Sequence, residues 1–270
     1  MAEPILAVQS LMKSFGGLRA TNDLTMEVAR GECHAIIGPN GAGKTTFISQ
    51  LQGFLQPDAG KIMLNGADVT REPAHRRARL GIARSFQITS LVPDFSALDH
   101  AALAVQARYG HSFRFWRNAR RDPALLGPAR ESIEAVGLSA RAKTLARDLS
   151  HGEARQLELA IAIAQKPQLL LLDEPMAGMG RKDGAVMTEL IRSLKRDYTI
   201  VLIEHDMQAV FSLADRISVL VAGHIIKTGA PDEIRTDADV RASNVRQRGA
   251  QMLFDLHLPT EPAPGQGAAS

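Results

Sequence analysis

The segment Gly38, Pro39, Asn40, Gly41, Ala42, Gly43, Lys44, Thr45, Thr46 constrains this chain more than any other. It follows the apolar run Cys33, His34, Ala35, Ile36, Ile37 and leads into helix-forming residues from Phe47 onward. Strand, glycine-rich loop and helix with the spacing G-x-x-x-x-G-K-T make a P-loop. The glycines let consecutive backbone N–H groups turn inward on phosphate oxygens, and the helix presents its positive N-terminal end. Lys44 is placed to reach the β- and γ-phosphates, and the Thr45 hydroxyl to ligate Mg²⁺. A glycine-rich turn with no ligand is the plainer reading, and the full pattern in this strand–helix context argues against it. The segment predicts binding of a nucleoside triphosphate.

Around that loop the chain alternates between strand and helix. Short strands are expected at residues 5–9, 24–28 and up to Ile37, then a helix over 47–55 that stops at Pro57, Asp58, Ala59, Gly60. Residues 61–64 with Asn65-Gly66 read as a strand and tight turn, and 81–87 as a further strand. Residues 97–165 turn alanine- and leucine-rich with helical spacing, broken near Gly110 and Pro123. Gln168 to Asp173 is a continuous apolar strand of the buried parallel kind. A helix at 184–195, a strand at 199–203, another helix and a strand at 217–221 follow. Strands alternating with helices around a P-loop predict an α/β fold with a mostly parallel sheet. An antiparallel β portion lies at the N-terminus, and the all-helical stretch reads as an insertion. The expected organisation is 1–96 for the first part of a nucleotide-binding core, 97–165 for a helical subdomain and 166–240 for the second part. Residues 241–270 form a tail, partly disordered, whose end is rich in Pro, Gly and Ala.

Composition excludes some alternatives. No stretch approaches the apolar length that spans a bilayer, and Met1-Ala2-Glu3-Pro4 lacks the features of a signal peptide. A cytoplasmic location is expected, with any membrane role coming through partners. The single cysteine, Cys33, rules out an internal disulfide and reads as a buried structural thiol. A net charge of +3 does not by itself argue for nucleic acid.

Two further segments carry chemistry. Leu169, Leu170, Leu171, Leu172 lead into Asp173 and Glu174, two carboxylates at the end of a buried strand. There Asp173 would hold Mg²⁺ through its water shell, and Glu174 would orient an attacking water at the γ-phosphate. The same residues also suit an ordinary strand exit to a turn. Leu149, Ser150, His151, Gly152, Glu153 precede an apolar-periodic helix, and Ser150 with Glu153 has capping-box spacing. Capping does not account for Gly152, because glycine is costly inside a helix. A small residue there suits the close approach of a phosphate.

Taken together, these segments resemble the nucleotide-binding subunit of an ATP-binding-cassette (ABC) transporter. Walker A is Gly38 to Thr45, the signature is Leu149 to Glu153, and Walker B is Leu169 to Asp173 with Glu174 after it. The resemblance implies that Gln87 is the Q-loop glutamine, acting in catalysis and at the metal, and that His205 is the switch histidine contacting the γ-phosphate. It also implies that Phe15 stacks on adenine and that Ser150 and Gly152 bind the ATP held by a second subunit. ATP and Mg²⁺ are the implied cofactors. The implied partners are membrane-embedded permease subunits, a second ATPase subunit and, indirectly, a periplasmic binding protein. The chain would then sit on the inner face of the cell membrane through those partners.

Residues 85–89, 95–99, 173–179 and 203–207, with the ending Gly229, Ala230, Pro231, Asp232, Glu233, Ile234, are similar to ATPases of branched-chain (hydrophobic) amino-acid importers. The alternatives are a urea or other small-solute transporter and, in a different class, an ABC ATPase acting on nucleic acid through the basic–aromatic segment 114–121. No nucleic-acid partner is expected. The chain departs from the family at His151 and Glu153 of the signature and at Gly180, where an Asp or Asn is usual.

Overall fold

The computed structural model describes residues 3–84, 91–109 and 122–237. The expectations for Gln87, for the basic–aromatic segment 114–121 and for the tail 241–270 lie outside the described residues.

A four-stranded antiparallel sheet has the order β2 (Leu18–Val28), β1 (Leu6–Phe15), β4 (Ala59–Leu64), β5 (Ala67–Asp68). The expected strand at residues 5–9 is the first half of β1. Ser10 sits at a positive φ of 46°, and the pairing with β2 shifts register between Val8 and Leu11. This bulge interrupts the alternation on which a sequence reading relies. A tight turn at Asn65 (φ 48°) and Gly66 (φ 75°) joins β4 to β5, as the Asn-Gly pair predicts.

The second sheet has six strands, in the order β10 (His224–Gly229), β9 (Arg216–Val221), β3 (Cys33–Ile37), β8 (Thr199–Ile203), β7 (Leu169–Asp173), β6 (Ile82–Arg84). All neighbours are parallel except β10, which returns antiparallel on β9. The uninterrupted leucines of β7 follow from burial on both faces. Leu169 and Leu171 face the antiparallel sheet and α1 (Lys44–Gln52), while Leu170 and Leu172 face the helices. From α1, the fully buried Phe47, Ile48 and Leu51 fill the space between the two sheets. Each such side chain contributes about 1.5–3 kcal/mol on removal from water. Cys33 in β3 is fully buried, and burial pushes its thiol pKa up to about 12.

On the other face pack α3 (Ala97–Tyr109), α4 (Pro123–Ala135), α5 (His151–Ala164), α6 (Arg181–Leu194) and α7 (Met207–Leu213). The short α2 (Ala74–Arg79) and α8 (Pro231–Thr236) complete the described helices. The α/β fold with a mostly parallel sheet, an N-terminal antiparallel portion and a helical group is as expected. None of the described helices is long and apolar enough to cross a membrane.

Candidate active site

The loop between β3 and α1 is shaped by main chain. Gly38 (φ 155°) and Gly43 (φ 105°) take conformations that L side chains avoid. A Cβ on Gly38 would lie 2.0 Å from the Leu220 carbonyl oxygen, and one on Gly43 2.0 Å from that of Ala20. The Gly223 N–H donates to the Ala42 carbonyl at 2.9 Å, and the Asn22 N–H to the Gly223 carbonyl at 3.0 Å. The loop is thus clamped between β2 and the β9–β10 turn. No side chain caps α1, whose N-cap is Gly43, so its first N–H groups face the loop opening. Gly41, Asn40 and Thr45 are exposed, whereas Pro39 and Ala42 are buried and Thr46 is half-buried.

Lys44 is buried and donates from Nζ to the carbonyls of Gly38 (2.6 Å) and Pro39 (2.9 Å). Burial lowers its pKa, and the charges of Glu174 and Asp173 oppose that shift. Asp173, at the end of β7, is almost wholly buried and bonds through Oδ2 to Arg84 Nη2 at 2.7 Å. Burial raises its pKa, Glu174 adds to the rise, and Arg84 and Lys44 oppose it. Arg84 also donates from Nη1 to Gln52 Oε1 at 2.9 Å, at the far end of α1. The buried Gln52 Nε2 has no protein partner among the described residues.

Glu174 follows with φ 50°, a left-handed conformation that costs a non-glycine residue about 1–3 kcal/mol. Its N–H donates to the Ile203 carbonyl at 2.8 Å, which ties it to the end of β8. His205 Nε2 donates to Glu174 Oε1 at 2.6 Å. Between β8 and His205 stands Glu204, whose buried carboxylate accepts main-chain N–H groups from Met176, His205 and Asp206. Burial raises the Glu204 pKa against those hydrogen bonds. An open groove of about 890 Å³ runs past Glu174, Glu204 and His205 to Gly180, Gly184 and Ser212.

Lys44, Asp173 and Glu174, singled out from sequence, interact through their charges, and His205 joins them through its contact with Glu174. Phe15 lies at the end of β1, half exposed (51%), with Lys13 Nζ 5.7 Å from its ring centroid. Ser150 and Gly152 sit at the start of α5, and among the described residues neither hydrogen-bonds to the glycine loop. There the capping box forms, with the Glu153 N–H on Ser150 Oγ at 3.2 Å and the Ser150 N–H on Glu153 Oε2 at 2.8 Å. A Cβ on Gly152 would lie 3.2 Å from Cγ of the exposed Asp183 side chain of α6. His151 Nε2 reaches the Ala177 carbonyl at 3.4 Å. Arg84, Gln52 and Glu204 were given no part by sequence reasoning. The available signal was a charged residue at the end of an apolar buried strand, which holds for Arg84 and Glu204 as it does for Asp173.

Comparison with known proteins agrees with this fold. The ABC transporter family model matches residues 21–177. A high-affinity branched-chain amino acid transport ATP-binding protein, LivG of Salmonella typhimurium, is 36% identical over 247 residues, which covers 89% of this chain and 97% of the relative. The corresponding protein BraF of Pseudomonas aeruginosa is 37% identical over 249 residues, with the same coverage. A solved ATP-binding cassette of an ABC transporter superposes with a TM-score of 0.80 at 26% identity, covering 90% of this chain and 99% of that one. With its glycine loop, its two-sheet core and a match of this extent, the chain belongs to the ATP-binding cassette family, the nucleotide-hydrolysing ATPases of ABC transporters.

Proposed function

We propose that this chain is the ATP-hydrolysing subunit of an importer for branched-chain (hydrophobic) amino acids. The observation that carries the substrate class is the 36–37% identity to LivG and BraF across 89% of the chain. ATP binds with its phosphates on the loop from Gly38 to Thr46 and on the free N–H groups of α1, and Lys44 offsets the β- and γ-phosphate charge. Phe15 stacks on the adenine. Asp173 and Glu174 are two adjacent carboxylates whose charge is disfavoured at Asp173 by burial and by each other's proximity. A divalent cation suits that pair, and hard oxygen donors from Asp173 and the exposed Thr45 hydroxyl suit Mg²⁺, with Gln87 added as a ligand by the family resemblance alone. When bound, Mg²⁺ draws negative charge off the phosphate oxygens.

Hydrolysis then falls to the chain's own side chains. Glu174 accepts a hydrogen bond from the attacking water and aims it at the γ-phosphorus. His205, bonded to Glu174 Oε1, fixes that carboxylate and offers its ring to the γ-phosphate. Ser150 and Gly152 of a second subunit close over the nucleotide, so two ATPase subunits act as a clamp that ATP holds shut. Permease subunits receive the resulting motion, and a periplasmic binding protein delivers the solute to them. That arrangement places the chain on the inner membrane face.

Uptake of labelled leucine, with urea in parallel, in cells lacking this gene tests the reading. Complementation by the wild-type chain but not by Lys44→Ala is the expected result. Urea uptake restored in place of leucine, or neither restored, would remove the amino-acid assignment.

A further inference from the structure

We propose that Glu204 is a positioning residue for hydrolysis, one buried carboxylate that sets the geometry of both Glu174 and His205. The inference rests on reading those two residues as the hydrolytic pair. Glu204 is 5% exposed, directly after the last residue of β8. Its Oε1 accepts the Met176 N–H at 2.8 Å, and its Oε2 accepts the N–H groups of His205 at 2.8 Å and Asp206 at 3.4 Å. One oxygen therefore holds the loop after β7, and the other holds the loop after β8.

Three facts make this more than a satisfied core residue. Glu174 is kept at φ 50°, a conformation that persists only where the surroundings over-determine it. Its anchors are the Ile203 carbonyl, which takes the Glu174 N–H at 2.8 Å, and the Ala177 N–H, which donates to the Glu174 carbonyl at 3.1 Å. Met176, held by Glu204, lies inside that short turn. The 2.6 Å contact between His205 Nε2 and Glu174 Oε1 needs both loops in register, and Glu204 is the side chain bonded to both. Finally, a buried carboxylate is unfavourable unless its oxygens are used, and here they accept three main-chain N–H groups. A carboxylate has two acceptor oxygens for two loops. A glutamine has only one, and its amide would face an N–H donor.

The test compares Glu204→Gln, Glu204→Asp, Glu174→Gln and the double variant Glu174→Gln/Glu204→Gln in the full-length chain. ATP turnover, ATP binding and melting temperature are read for each. Glu204→Gln should lower kcat by about 10–100-fold through misplacement of the water-orienting group, with KM and ATP affinity changed by less than about twofold. Glu204→Asp keeps two acceptor oxygens and should retain more activity. Adding Glu204→Gln to Glu174→Gln should cost clearly less than Glu204→Gln costs alone, because the part of its effect that passes through Glu174 is already lost. Normal kcat in Glu204→Gln, a loss shared equally by ATP affinity, or a fully additive double variant would each overturn the proposal. If Glu204→Gln does not fold, Glu204→Asp is judged by the same split between kcat and KM and the same additivity. Normal turnover in Glu174→Gln would instead remove the hydrolytic reading beneath it, so the two failures are distinct.

Discussion

The two sides of the nucleotide site are built differently. On the phosphate side, the loop from Gly38 to Lys44 is shaped by main chain: positive-φ glycines, carbonyls that receive the Lys44 ammonium, and a helix start with no capping side chain. On the water side, Glu174 and His205 meet through side chains 31 residues apart in sequence, and the buried Glu204 carboxylate bridges loops 28 residues apart. The first construction uses main chain, clamped between β2 and the β9–β10 turn, against a chemically constant group. The second joins two loops that follow adjacent parallel strands, β7 and β8. On the proposed roles, affinity and turnover fall to separable parts of one site.

The sharpest way to break this division is to remove the water side alone. Glu174→Gln should lower kcat by about 10³-fold, roughly 4 kcal/mol of barrier, with ATP affinity kept within about threefold. A parallel loss of affinity in a nucleotide titration would show that the two sides are not separable. Gly43→Ala attacks the other side. A Cβ 2.0 Å from the Ala20 oxygen at φ 105° should weaken ATP binding by about 100-fold, roughly 2.7 kcal/mol. Turnover per bound nucleotide should be much less affected, and equilibrium binding with single-turnover rates would separate the two.

The smallest effect is expected away from both sides, at the start of α5. Glu153 is held below the ordinary carboxylate range first by the Ser150 N–H, with burial opposing and Arg141 assisting. A carboxyl lowered in the folded state stabilises the fold above its unfolded pKa, about 4.5, and loses that contribution as pH falls through the folded value. Glu153→Gln should therefore cost up to about 1 kcal/mol at pH 7, and the gap to wild type should narrow as pH falls below the ordinary carboxylate range in urea unfolding. An unchanged gap at low pH would assign the effect to packing.

How much of this could be read from sequence follows the same division. Lys44, Asp173 and Glu174 sit in short motifs whose spacing points to their chemistry, the apolar run of β7 was equally legible, and His205 was reached only through the family resemblance. Arg84 and Glu204 were not legible, because their partners, Asp173 and Met176, are 89 and 28 residues away and only the parallel pairing of β6, β7 and β8 brings them close. Elements with weak apolar patterning were also missed. α2 reads AHRRAR, and it is placed by buried Arg77, which donates to the carbonyls of Gln50, Leu51, Thr70 and Glu72. β10 is half exposed, and its hairpin turns on Ala222 and Gly223, a pair less telling than Asn-Gly.

Cys33 has a practical consequence. As the only cysteine, with its pKa near 12, it carries almost no thiolate at neutral pH while the central sheet is intact. Alkylation of the wild-type chain should therefore proceed only through opening of the sheet that carries the glycine loop, making it a built-in clock for global unfolding. A thiol introduced on the surface would meet no competing background, so cross-links between two engineered positions could map how copies of this chain face one another.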